Sequence, residues 1–206
     1  MHSRIQITHK VGNPNVSMYV AVRNTGGREL RIRSMRLELS RDGTTMGTYA
    51  AQNYFEQPSS QQTVLMVPFS LKPGETWGHT TNFLNLFDRA TEKFFRSSES
   101  ALGVDIKAKL ANRPQGNPMR VEAEPELVAP FLILFNRLFI WEPGEYVAKL
   151  IVDADPGSAS FSQKYRFTLF ESDSADLRAQ LEDYKYGGGL LYNVEQHVGI
   201  SVPLSQ

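Results

Sequence analysis

Four histidines, His2, His9, His79 and His197, are the side chains best suited to proton transfer or metal ligation. None is spaced for either: no H-x-H or H-E-x-x-H occurs, so no two imidazoles share a strand or helix face at ligand separation. Each reads as a surface histidine, with His79 the most notable because Trp77 and Thr80 lie beside it. Asp153 and Asp155 can hold calcium if their carboxylates converge with backbone carbonyls. The run Asp153-Ala-Asp-Pro-Gly157 equally suits a hairpin turn, in which aspartate bonds its own backbone, and the turn is the simpler reading. Gly187-Gly-Gly189 follows a helical stretch, whereas a phosphate cradle needs its helix after the glycines, so a helix cap is expected there. No G-x-S-x-G elbow is present, and Glu122 and Glu124 adjoin a Pro-rich loop instead of an aromatic cleft. The reading assigns no catalytic residue, no metal ligand and no cofactor.

Charge gives the most distinctive cluster. Arg28, Arg31, Arg33, Arg36 and Arg41 crowd one segment, with Arg31, Arg33 and Arg36 the candidates to grip an anionic sugar, lipid head group or acidic partner. The same residues also suit a solvated strand face that guards a sheet edge. Trp77 is a candidate stacking residue. Phe94 and Phe95 belong to a phenylalanine-rich segment that exceeds what one small helix needs for packing, and an exposed apolar patch is expected there.

The whole chain sets bounds on these sites. Its 206 residues fit one large domain, and 41% apolar content suits a globular core. Lys and Arg number 22 and Asp and Glu number 22, so the basic excess typical of a nucleic-acid binder is missing. With no cysteine, thiol catalysis, disulfides and thiolate zinc sites are excluded. The apolar run Phe131–Phe135 is far shorter than the roughly 20 residues a bilayer span needs. The start of the chain has no apolar leader. Either it begins here naturally or a membrane anchor precedes it in a longer product.

Alternation supplies the elements. Val16, Met18, Val20 and Val22 alternate with polar neighbours up to the turn Asn24–Gly27. From Leu30 to Leu39 the apolar parity flips between Ile32 and Met35, which predicts a β-bulge. Asp42-Gly43 predicts a hairpin, Tyr49 to Gln62 a polar loop, Thr63 to Val67 a strand and Leu71–Glu75 a Pro-Gly turn. A helix is expected from about Asn85 or Asp88 to Gly103, then a strand through Val104, Ile106, Ala108 and Leu110. Residues 126–141 suit helix or strand, with helix favoured for the first half. Tyr146–Asp153 and Phe161–Leu169 read as a strand hairpin, and Ser174–Tyr186 as a helix capped by Ser172, Asp173 or Ser174. Residues 1–189 form one domain with an insertion over about 84–141, and residues 190–206 a tail or extra strand. Short strands without regular strand–helix alternation argue for an antiparallel sandwich.

The motifs Val22-Arg-Asn-Thr-Gly26, Leu39 to Gly43, Leu71-Lys-Pro-Gly-Glu75 and Gly144-Glu-Tyr146 to Val152-Asp153 follow one another in an order that resembles the bacterial cell-adhesion-related (CARDB-like) immunoglobulin-like domains. They cover less than half of the chain. The long separation of Trp77 from Pro143 departs from that compact family, as does a helix where an acidic and asparagine-rich stretch often follows the last strand pair. The resemblance implies an immunoglobulin-like β-sandwich with an α-containing insertion and a C-terminal helix. By the same token it implies a non-catalytic binding or structural domain with a protein or envelope partner, placed in the periplasm or on the cell surface in preference to the cytoplasm. Two other readings stay open: an accessory carbohydrate-binding module stacking sugars on Trp77, Tyr49 and Tyr54, and a hydrolase whose site assembles from distant residues.

Overall fold

A computed structural model describes residues 4–114, 120–192 and 199–205. The chain is mainly β. Strands β1 (Arg4–Lys10), β2 (Asn13–Arg23), β3 (Leu30–Arg41), β4 (Thr44–Phe55), β5 (Thr63–Leu65), β6 (Phe69–Leu71) and β7 (Thr76–Leu84) precede two helices, α1 (Arg89–Ala111) and α2 (Pro125–Leu138). Strands β8 (Gly144–Asp155) and β9 (Phe161–Leu169) joined by a short 3-10 turn (Gly157–Ala159), helix α3 (Glu171–Ala179), a 3-10 segment (Gln180–Tyr186) and β10 (Ile200–Pro203) complete it. Every strand pairing is antiparallel.

The sequence reading divides the strands between two packed layers. The pairing instead runs through one continuous sheet in the order β10-β1-β2-β7-β4-β3-β8-β9, with β5 beside β4 and β6 beside β3. Arg166 of β9 and Ser205, just past β10, exchange backbone hydrogen bonds of 2.7 and 2.9 Å, so the two ends of the sheet meet and a barrel is nearly closed. Register shifts let the sheet curl. One lies between Ile32 and Ser34, where the parity flip predicts a bulge; others fall at Leu39/Ser40 and Ala51/Asn53. Inward residues alternate as the sequence requires: Val16, Met18, Val20 and Val22 with Met35, Leu37, Leu39, Tyr146, Ala148 and Leu150 fill the interior.

Three predicted boundaries move. Residues 49–55 belong to β4, because tertiary pairing with β7 and β5 outweighs their polar composition. Helix α1 runs through Gly103 to Ala111, so no strand follows it: Phe95, Leu102 and Ile106 form its buried stripe at helical spacing, while Val104 and Leu110 face solvent. The third helix begins at Glu171, ahead of the expected serines, with the Asp173 carboxylate accepting the Phe170 N–H at 2.9 Å. Residues 125–138 are helical throughout, which resolves the ambiguous segment.

Helices α1, α2 and α3 gather at one end of the barrel, hereafter the helix end. A second core of Phe95, Leu102, Ile106, Phe131, Leu134 and Tyr184 sits there, roofed onto Val11 in the β1–β2 turn. Contact is close. At Gly12 (φ 85°) an added Cβ would lie 2.7 Å from the Phe135 carbonyl oxygen, so only glycine lets the turn meet α2. The opposite end, the loop end, carries the connections β2–β3, β4–β5, β6–β7 and β8–β9.

Candidate functional site

At the loop end, one side chain organises two of the sequence motifs. Asn24 is buried, and its amide donates to the carbonyls of Arg28 (2.7 Å) and Leu71 (2.9 Å) while its oxygen accepts the Gly26 N–H (2.9 Å). Its backbone bonds Glu75 and Gly74. The β2–β3 loop is thereby stapled to the β6–β7 turn. The other two motifs meet at the helix end, where Asp42 of the β3–β4 hairpin accepts the Glu145 N–H at 3.0 Å and donates its own N–H to the Glu145 carbonyl.

The stapled loop borders a depression of about 880 Å³ whose lining includes Arg23, Asn24, Arg28, Glu29, Pro156 and Phe161. Arg23 and Arg28 are exposed there and, among the described residues, neither they nor Arg31 forms an ion pair. Arg31 stands opposite Asp155 on the outer face of β3. Arg33 and Arg36 differ: Arg33 lies 3.5 Å from Asp155, and Arg36 pairs with Asp153. The Ser34 hydroxyl, with Arg36 beside it, holds the Asp153 carboxyl below the usual aspartate value. The predicted arginine cluster thus splits into neutralised members (Arg33, Arg36) and free ones (Arg31, with Arg23 and Arg28). Sequence reasoning missed Arg23, which joins the group only through the β2–β3 turn. Asp153 and Asp155 each face an arginine, an arrangement that opposes a cation between them.

Trp77 lies nearby, in register with Val22 and therefore turned inward. Its ring centroid is 5.3 Å from Tyr54, 5.1 Å from Phe69 and 4.8 Å from His79, a half-buried aromatic cluster at the barrel mouth. His79 Nδ1 donates toward the carbonyls of Phe55 and Glu56. Phe69 stacks on Trp77 at 25°, whereas Tyr54 and His79 meet Trp77 edge-on at 74° and 64°, so the four rings make no flat row. Tyr49 is elsewhere and buried, and burial pushes its phenol up to about 12, so it offers no stacking face.

Phe94 and Phe95 part company on α1. Phe95 is 2% exposed in the second core with Phe131, while Phe94 is 40% exposed. The expected phenylalanine patch is largely a packed core: Phe131 and Phe135 are fully buried as well. His9 is also corrected from surface to interior, at 2% exposure. Its Nδ1 accepts the Gly12 N–H, leaving Nε2 to donate to the Leu177 carbonyl at 2.9 Å, and its ring meets Phe135 and Phe139. It is a neutral strut joining barrel, α2 and α3. His2 and His197 lie outside the described residues. A depression of about 410 Å³ at the barrel–helix junction holds Asp88 and Arg137, both already engaged by Thr91.

No family model matches the chain, and no curated protein matches it. A solved structure, the crystal structure of a protein from Archaeoglobus fulgidus, is similar over 81% of this chain and 94% of that one, at 10% identity and a TM-score of 0.34. A likeness of that size bears on neither fold nor activity.

Proposed function

We propose that this is a non-catalytic binding domain that engages an acidic protein partner through the loop end of its barrel. One observation carries the reading: Arg23 and Arg28 line a broad depression, with Glu29 between Arg28 and Leu30 on its rim, and among the described residues neither arginine forms an ion pair, in a chain whose formal charge is zero. The charge asymmetry is regional. Residues 4–84 and 144–169 carry 12 Lys and Arg against 8 Asp and Glu, whereas residues 85–143 and 170–192 carry 10 against 13. Clustered exposed cations steer anionic partners and set specificity more than raw affinity.

The pairwise meeting of the four turn motifs, at Asn24 and at Asp42, supports reading the barrel as an immunoglobulin-like relative of the cell-adhesion-related domains. An extracytoplasmic position belongs to that same proposal. The test is an immobilised polyglutamate peptide titrated with the protein. The expected result is binding that weakens steeply with salt and falls about tenfold or more in Arg23→Glu/Arg28→Glu. Equal binding by that variant overturns the reading.

A carbohydrate-binding alternative draws on the cluster around Trp77 and Tyr54. Trp141 is fully buried, so tryptophan fluorescence that responds to oligosaccharide reports on Trp77 and would favour this alternative.

A further inference from the structure

Strand β9 has two very different edges. Along one it pairs with β8 from Phe161 to Leu169. Along the other, among the described residues, only Arg166 is bridged, to Ser205. Among the described residues, the stretch Phe161–Lys164 has no strand beside its outer row of backbone donors and acceptors, at the point where the barrel seam parts and the depression near Arg23 and Arg28 begins. An exposed edge of this kind is a template for another strand.

The side chains around the edge are sorted by face. Lys164 and Arg166 point outward and, among the described residues, have no ion pair; Arg23 joins them on the outer surface, its neighbour Val22 pointing in. On the inward side, Phe161 is 43% exposed and Tyr165 is half-buried. A strand laid against β9 would present alternate residues to these two environments. Carboxylates suit the outer set and apolar side chains the inner set. The same cations discourage a second copy of β9 from pairing there, because like charges would stand opposite one another.

We infer that the free edge of β9 is a strand-addition site for an extended acidic segment of a protein partner, alternating carboxylate and apolar residues and running through the seam past Arg23 and Arg28. This rests on the reading of the loop end given above and adds the mode of recognition: main-chain pairing gives the affinity, and alternate side chains give the selectivity.

The test uses the intact protein and a fluorescent alternating Glu-Val peptide, in three forms: unmodified, N-methylated at every glutamate, and N-methylated at every valine. In a strand only one of these sets turns its N–H toward β9. The expected result is a loss of about tenfold or more in affinity for one methylated form and little change for the other. Lys164→Glu weakens the unmodified peptide in the same sense. Equal effects of the two methylations, or none, overturn strand addition. If Arg23→Glu/Arg28→Glu still abolishes binding in that case, acidic recognition at the loop end survives without it; if that variant binds normally, both fall. Tighter binding to phosphatidylserine vesicles than to the peptide overturns the protein partner in favour of a membrane surface.

Discussion

The two ends of the barrel handle polar and apolar groups in opposite ways. At the helix end Arg120, Lys185, Lys109 and Arg178 each reach a carboxylate, and Lys10 and Arg178 lie over the rings of Phe95 and Phe139 at 4.3 and 4.4 Å. Phe95, Phe131 and Phe135 are sunk into the core, while Phe94 and Phe170 stay exposed. At the loop end, among the described residues, Arg23, Arg28 and Arg31 have no such partners, the aromatic cluster is half-buried, and the sheet seam is bridged only at Arg166 and Ser205. The difference is one of degree, since Arg33 and Arg36 are paired near the loop end and Val104, Leu110 and Ile133 are exposed on the helices. On the function proposed above, the helical insertion packs against the barrel and the loops carry the binding surface.

If that division is right, substitutions at the helix end act on stability and those at the loop end on binding. The largest expected effect is Phe131→Ala, which empties a fully buried ring position and costs about 3–5 kcal/mol in chemical denaturation. A cost near zero would dissolve the second core. Asn24→Ala follows, at about 1–3 kcal/mol, since it leaves buried carbonyls of Leu71 and the loop without their donor; it also loosens the loop that carries Arg28, so peptide binding falls with stability. Smaller still is an acid effect. Asp153 is held below its ordinary value of 3.8 by Ser34 and Arg36. Its contribution to folding is therefore full above that value and is lost as pH falls through the lowered one. Melting across an acid series is expected to show Asp153→Asn losing less stability than the parent. The smallest is Arg28→Glu, which leaves the unfolding free energy within about 0.5 kcal/mol of the parent while lowering peptide affinity.

Much of the barrel was legible because period two is a strong signal in β2, β3 and β8, and the Ile32–Met35 flip located a bulge that the register confirms. The helical insertion was harder. Val104, Ile106, Ala108 and Leu110 alternate in sequence, yet only Ile106 with Leu102 and Phe95 meets the core, and a short alternating run cannot be told from a helix without knowing its neighbour. The site was half legible. Arg31, Arg33 and Arg36 stand out in the chain, but which of them is free depends on Asp153 and Asp155 lying across a strand pair from them, a relation of pairing that spacing along one strand does not contain. His9 was misplaced for a similar reason: a polar residue in a short strand looks exposed until Gly12 and Leu177 supply its partners.

Amide hydrogen exchange with and without the alternating Glu-Val peptide bears most directly on the idea that recognition happens where the seam parts. Slowed exchange concentrated in residues 161–165 and in the 24–29 loop is the predicted outcome. Slowing confined to α1 and α2, with β9 unchanged, would contradict it and move the binding surface to the other end of the molecule.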